Sequence, residues 1–380
     1  MKFSGLIVAN LFRKKLRLAL TLGSFAVALM LFGFLAVVRT AFSGGVEIAG
    51  ADRLVVINRV SIIQPLPLAY MDKMARMPGV KAVTHANWFG GVYQDERNFF
   101  PQFAIDVPTW RQMYPEFKLS DEEWNNFVKD RQGAIAGAAT AKRFGWKVGD
   151  RIPIKGTFLP GVWEFNLDGI YRGSRQADDE TQFWFQWDLF EEKVPDRFKG
   201  NVGWYTVKVE NPDDSARVAK AIDAEFANSP YETRTDTEKA FAAGWVKQFG
   251  NIEFLILTIG AVVFFTLLLV TGNTMAIAVR ERTGELAVLK AIGYSDRFVL
   301  VLVLLESLAI AVVGGGLGLL LAKGFTLLGD PTHGLLPFFF LPKEAMLMGI
   351  VAALVVGIAS GILPAVGAMR LRVVNALRRV

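Results

Sequence analysis

Four long apolar runs constrain this chain more than any other feature: residues 18–38, 254–279, 298–321 and 345–369. A helix of about 20 apolar residues crosses a hydrocarbon core roughly 30 Å thick. Three of the runs carry no charge and the third carries only Glu306. Between the first two lies a stretch of ordinary soluble composition, 40–250, whereas the later connections are short. The expected layout is one span, a large domain, then three spans.

Composition supports a chain of this kind. It is 52% apolar and 21% charged, with a mean hydropathy of +0.33, against about 25% charged residues in a typical soluble domain. The absence of cysteine rules out disulfides, thiolate metal sites, iron–sulfur clusters and a Cys nucleophile. The net charge of +6 raises nucleic acid or anionic lipid as a partner, and its placement decides between them. Residues 40–250 hold 26 basic and 29 acidic side chains, a net of −3. The excess sits at the span ends: Lys2, Arg13, Lys14, Lys15 and Arg17; Arg280, Arg282, Lys290 and Arg297; Arg370, Arg372, Arg378 and Arg379. Lys and Arg near span ends stay cytoplasmic. Both termini are therefore expected in the cytoplasm and 40–250 outside, with no role for nucleic acid. The first run is followed by Arg39 and exceeds the 7–15 residues of a signal-peptide core, which favours a retained helix.

The expected divisions are a cytoplasmic segment 1–17, span 18–38, extracytoplasmic domain 40–250, span 252–279, cytoplasmic loop 280–297, span 298–321, outer loop 322–344, span 345–369 and cytoplasmic tail 370–380. Within the outer domain, 53–60 reads as a strand, 67–77 as a helix stopped by Pro78-Gly79, and 80–83 as a strand. A second such β-α-β unit runs through 204–209, 215–226 and 231–234. The middle, 106–188, reads as a small β-rich subdomain that opens with a helix from Ser120, where Ser120 and Glu123 match a capping box. The polar stretch 172–180 reads as a mobile, solvated loop. Residues 237–250 are predicted to run into the second span as one continuous helix. Trp184, Phe185 and Trp187 fit a buried strand face better than a groove for lipid.

Enzyme signatures are missing. The sequence has no phosphate loop of the form G-x-x-x-x-G-K-[ST], no G-x-S-x-G elbow and no H-E-x-x-H helix. His85 and His333 lack motif partners, and His85 reads as a surface or loop residue. Asp178, Asp179 and Glu180 lack the alternating spacing of a Ca²⁺ loop. No catalytic residue and no metal site is assigned.

The informative stretch is Arg280-Glu281-Arg282-Thr283-Gly284-Glu285-Leu286-Ala287-Val288-Leu289-Lys290-Ala291-Ile292-Gly293-Tyr294-Ser295. Leu286 and Leu289 at i,i+3, with Gly293 placed as a terminator, predict a short helix between spans. Spacing alone leaves two uses open, a loop resting on headgroups or a knob that docks into a soluble partner. Glu306, followed by Ser307, lies about 12 Å into its helix. A carboxylate at that depth is costly, and pairing with a basic flank residue or a neighbouring helix is expected. Gly314 with Gly318, and Gly357 with Gly361, are small-x-x-x-small pairs suited to close helix packing.

This loop, followed by Leu305-Glu306-Ser307 and the glycines Gly314 to Gly316 and Gly318, resembles the signature of the FtsX/MacB-type (LolC/LolE-like) ABC transporter permeases. Gly361-Ile362-Leu363-Pro364-Ala365 and Asn375-Ala376-Leu377-Arg378 resemble that family's C-terminal ending. The specific likeness covers roughly 251–380, and in the outer domain it is architectural. It implies an α-helical membrane protein with four transmembrane helices (1+3) and a large α+β extracytoplasmic domain, with porter-like β-α-β units plus the small β-rich subdomain.

The resemblance also implies a bacterial inner-membrane permease subunit that couples ATP hydrolysis to movement or efflux of a substrate outside the membrane. On that reading Arg280, Glu281, Arg282, Gly284, Glu285, Leu286, Leu289, Lys290 and Gly293 form the loop that meets the ATPase. Glu306 and Ser307 have a structural or coupling role. MacB carries a fused ATPase domain, whereas only about 17 residues precede the first run here. An ATPase in trans is therefore expected to bind the ATP and Mg, with no cofactor in this chain. A homodimer or a heterodimer with a paralogous permease, a periplasmic adaptor and membrane lipid are the further partners implied. The alternative within the family is a cell-division-type regulator of a cell-wall hydrolase, whose outer domain is usually much smaller. A membrane-anchored enzyme is disfavoured by the missing motifs.

Overall fold

The computed structural model describes residues 12–48, 50, 52–159, 161–175, 178–248, 250–329, 331 and 339–371. The chain divides into two compact units, one of long helices (through Thr40, Asn251–Gly329 and from Phe339 on) and one of mixed α and β structure, chiefly Ala41–Gly250.

In the helical unit four helices are long and apolar enough to cross a membrane: Lys15–Ile48, Ile252–Glu281, Asp296–Leu327 and Lys343–Met369. Their starts follow from local chemistry. The Asn251 side chain accepts from the Phe254 N–H at 3.0 Å and Ser295 accepts from the Phe298 N–H at 3.2 Å, each satisfying an N-terminal amide that the helix leaves open. The bundle closes through small residues. A Cβ on Gly318 would lie 2.2 Å from the Ala26 carbonyl oxygen, and one on Gly314 would lie 2.9 Å from that of Leu22, so the first and third long helices touch backbone to backbone. Gly357 faces Ala311 and Gly361 faces Ser307, which brings the third and fourth equally close. Leu20, Val27, Phe265, Leu320, Leu347 and Leu363 remain exposed, as lipid-facing side chains would.

In the mixed unit a ferredoxin-like frame emerges from the two expected β-α-β units. Strands Arg53–Asn58 and Val80–Trp88 enclose helix Tyr70–Ala75; strands Trp204–Val209 and Thr233–Thr237 enclose helix Ser215–Glu225. The units interleave. Trp204–Val209 pairs antiparallel with both Arg53–Asn58 and Val80–Trp88, and Thr233–Thr237 pairs with the outer side of Arg53–Asn58. The middle segment continues the same sheet from Val80–Trp88 through Gln102–Ile105, Phe183–Gln186, Gly133–Gly137 and Val162–Gly173 to Arg151–Gly156. Both faces of that extension are covered. Phe183 and Phe185 enter one core with Phe89, Trp163 and Phe165, while Trp184 enters another with Trp110 and Tyr171.

Several local expectations are met and three are corrected. Helix Asp121–Lys129 has the full capping box at Ser120 and Glu123. The continuous rod from 237 into the second span is not formed. Helix Glu238–Gln248 ends before Gly250, whose φ of +91° is left-handed, and a new helix starts from the Asn251 cap. His85 is buried within strand Val80–Trp88, its ring perpendicular to that of Trp187 with the centroids 4.8 Å apart. The acidic trio is tied down instead of solvated. Asp178 accepts from the Arg175 N–H, Asp179 from the Thr181 N–H and Glu180 from the Gly173 N–H. Three other expectations, His333, the outer loop at 332–338 and the ending at 375–378, fall outside the described residues.

Candidate functional site

The loop between the second and third long helices forms one short helix, Thr283–Ala291. Its end is a Schellman-type turn. Gly293 has φ +106°, its N–H donates to the Lys290 carbonyl at 3.0 Å, and the Tyr294 N–H donates to the Leu289 carbonyl at 3.1 Å. The helix is held on every side but one. Leu286 and Ala287 are buried, and Leu286 and Leu289 pack into the bundle core. Lys290 reaches the end of the fourth long helix, donating to the Met369 and Leu371 carbonyls at 2.6 and 3.0 Å, and pairs with Asp296 at 2.7 Å. A cation on those carbonyls completes acceptors that a helix C-terminus leaves open. Glu285 pairs with Arg13 ahead of the first long helix. What remains outward is apolar: Val288 is 46% exposed and Ile292 71%.

The flanks of the short helix are pinned by charge. Arg17 grips both oxygens of Glu281 at 2.7 Å, and Lys14 joins them at 2.8 Å. Arg280 points to solvent, and Gly284 is half-buried. Arg282 turns inward and forms a two-pronged pair with Glu306. That pair is nearly dry, with the Arg282 side chain 11% exposed and that of Glu306 3%. Two-pronged Arg–carboxylate geometry is the strongest form of such a contact. One residue on, Ser307 donates to the Gly357 carbonyl at 2.7 Å and lies 3.3 Å from the Ser360 hydroxyl.

The expected loop residues thus divide by geometry. Leu286, Leu289, Lys290 and Arg282 face the bundle, while Arg280, Glu281 and Glu285 lie at the rim. The role of Arg13, Lys14 and Arg17 as partners of this loop goes beyond the orientation signal read from them. The outward Val288 and Ile292 were not singled out by spacing. Their signal is weak in sequence, because a two-turn helix offers too few turns to fix which apolar side faces in. Among the described residues no cluster of His, Asp and Glu has the geometry of a metal site.

A family model described as the MacB-like periplasmic core domain matches residues 18–225, more than half of the chain. A second, the FtsX-like permease C-terminal model, matches residues 257–373. The chain belongs to the MacB/FtsX-type family of ABC transporter permeases. This permease is 24% identical over 321 residues to an uncharacterized ABC transporter permease of Methanocaldococcus jannaschii, covering 79% of this chain and 76% of that one. It is 34% identical over 107 residues to the macrolide export ATP-binding/permease protein MacB 1/2 of Paracoccus denitrificans, covering 28% of this chain but only 16% of that protein. The periplasmic region of MacB from Actinobacillus actinomycetemcomitans aligns with 52% of this chain and 94% of its own length, at 12% identity and a TM-score of 0.38.

Proposed function

We propose that this permease couples ATP hydrolysis by a separate ATPase subunit to movement or efflux of a substrate outside the membrane, and that helix Thr283–Ala291 is the element the ATPase grips. The supporting observation is how that helix is held. Its outward side offers Val288 and Ile292 to a partner, while its other contacts lead to three different spans. Lys290 leads to the end of the fourth long helix and the start of the third, Glu285 to the first, and Arg282 to the third through Glu306. A displacement of the short helix therefore reaches the whole bundle at once. The basic flanks support a cytoplasmic position for the loop 280–297 and both termini, with the mixed α and β domain outside a bacterial inner membrane. ATP and Mg belong to the ATPase. A dimer with itself or with a paralogue supplies the second copy of the short helix that a pair of ATPase subunits would engage.

The test is purification of the full chain from its native membrane, with the ATPase recognised by its phosphate loop in mass spectrometry. Wild type retains an ABC ATPase, and Val288→Asp with Ile292→Asp loses it at an unchanged unfolding temperature. Retention by the double variant, or no ATPase with wild type, overturns the assignment.

A further inference from the structure

A cavity of about 270 Å³ opens among the basic ends of the first three long helices, beside but separate from the outward face of the short helix. One water occupies only ~30 Å³ in the liquid, so the space is sized for a molecular group. Its polar lining includes four cations, Arg13, Lys14, Arg17 and Arg282, and two carboxylates, Glu281 and Glu306. Its remaining wall is apolar, with Leu18, Met275, Ala278 and Ile310, and carries the hydroxyls of Thr21 and Thr274.

Charge pairing here is uneven. Glu281 serves Lys14 and Arg17 together, Glu306 serves Arg282, and Glu285 serves Arg13. Four cations thus share three carboxylates, which leaves one positive charge in excess among the described residues. A phosphodiester carries one negative charge. The height of the cavity is equally telling. Leu18 begins the first apolar run, and Ala278 and Arg282 bracket the end of the second, so the space straddles the level at which headgroup gives way to acyl chain. A cationic mouth over an apolar wall at that depth matches an amphiphile whose phosphate is at one end, and basic pockets between spans suit anionic headgroups.

We propose that this cavity binds a phosphate group, and that its source is the headgroup of an anionic phospholipid in the adjoining leaflet. The acyl end would lie along Leu18, Met275 and Ile310, and the phosphate would displace part of the Lys14 and Arg17 hold on Glu281. The proposal rests on the orientation argued above only in calling that leaflet cytoplasmic. It does not depend on the ATPase.

The experiment follows thermal unfolding of the purified full chain in maltoside detergent, titrated with short-chain phosphatidylglycerol, short-chain phosphatidylcholine or inorganic phosphate. Phosphatidylglycerol is expected to raise the unfolding temperature saturably, and the other two are not. Leu18→Trp, which fills the cavity without changing charge, and R13Q/K14Q, which removes cations without filling it, should each weaken the effect about tenfold or more. Arg297→Gln, a cation lost outside the cavity, should leave it intact. Equal shifts with phosphatidylcholine, or wild-type binding by both cavity variants, overturn the proposal. Inorganic phosphate that reproduces or competes away the shift overturns the lipid source and points to a soluble anion. Labelling of Leu16→Cys by a membrane-impermeant maleimide, in a chain with no other cysteine, checks the orientation independently.

Discussion

The two units of this permease solve the packing problem with opposite materials. The mixed α and β unit fills its cores with rings: Phe89, Phe165, Phe183 and Phe185 are essentially inaccessible, and Trp163 lies 4.8 Å from Phe89. The helical unit closes on glycine and serine, with Gly314, Gly318, Gly357, Gly361 and Ser307 at its contacts. Solvent explains the contrast. In water, removing large apolar surface drives association, and an aromatic core removes the most. In lipid that driving force is absent between helices, so close backbone approach and polar contacts must hold them. Each unit also buries charge: Arg53 with Glu116 in the mixed unit, and Arg282 with Glu306 in the helical one, where breaking the pair would leave a charge without water.

The sharpest way to break this comparison is to add carbon where the helical unit has none. Gly318→Leu drives a side chain into the Ala26 backbone, whereas at Gly316 on the same helix an added Cβ meets nothing within 4 Å, which leaves Gly316→Leu an open start. The first should cost more than about 4 kcal/mol, the range reserved for severe packing defects, and should abolish monodisperse protein. The second should express normally. Size-exclusion profiles of the two variants in the same detergent decide it, and matching profiles would remove the argument for close approach.

A smaller effect is expected at the charge pair. Glu306→Gln leaves Arg282 without its carboxylate and should cost about 3 kcal/mol, the lower end of what breaking a buried pair costs. Replacing both partners, Arg282→Met with Glu306→Leu, should recover most of that loss, because paired burial and apolar burial are close in free energy. Arg131–Glu192 is also a direct ion pair, at 2.7 Å, but both side chains are about 60% exposed, so Arg131→Gln should shift the unfolding temperature by no resolvable amount. Thermal unfolding of the four proteins in one lipid mixture tests the ranking. A Glu306→Gln protein as stable as Arg131→Gln would show that burial adds nothing here.

What was legible in the sequence was local. Apolar run length announced four spans, Ser120 with Glu123 announced a capped helix, and Gly293 announced the end of the short one. The cost of a carboxylate within a span announced that Glu306 needs a partner, but Arg282 lies 24 positions away and is chosen by helix packing. Strand order was hidden for the same reason. Two β-α-β units read identically whether they sit side by side or interleave as they do here, since only long-range pairing of Trp204–Val209 with Arg53–Asn58 and Val80–Trp88 tells them apart. The break between the two helices is legible in the residues themselves. Gly250-Asn251 is a stop signal followed by a cap, which helical periodicity on both sides obscured.

His85 shows the remaining gap, and its titration offers the finest test of how the ring-packed unit differs from the bundle. Alternation in strand Val80–Trp88 normally leaves one face wet, but this sheet is covered on both sides, so His85 is buried with neither ring nitrogen hydrogen-bonded among the described residues. Burial pushes the imidazole from its ordinary 6.5 down to about 4. The folded protein therefore binds this proton less readily than the unfolded chain. Stability present at neutral pH is lost as pH falls from about 6.5 towards 4, by at most on the order of 3 kcal/mol. Asp168, raised to about 6 by burial and then by Asp130, acts in the opposite sense and masks part of the loss, so the wild-type slope alone is uninformative. His85→Leu isolates the effect. Wild type should lose more of its unfolding temperature between pH 7 and pH 5 than the variant does, and equal losses would mean that the buried ring finds a proton partner on acidification.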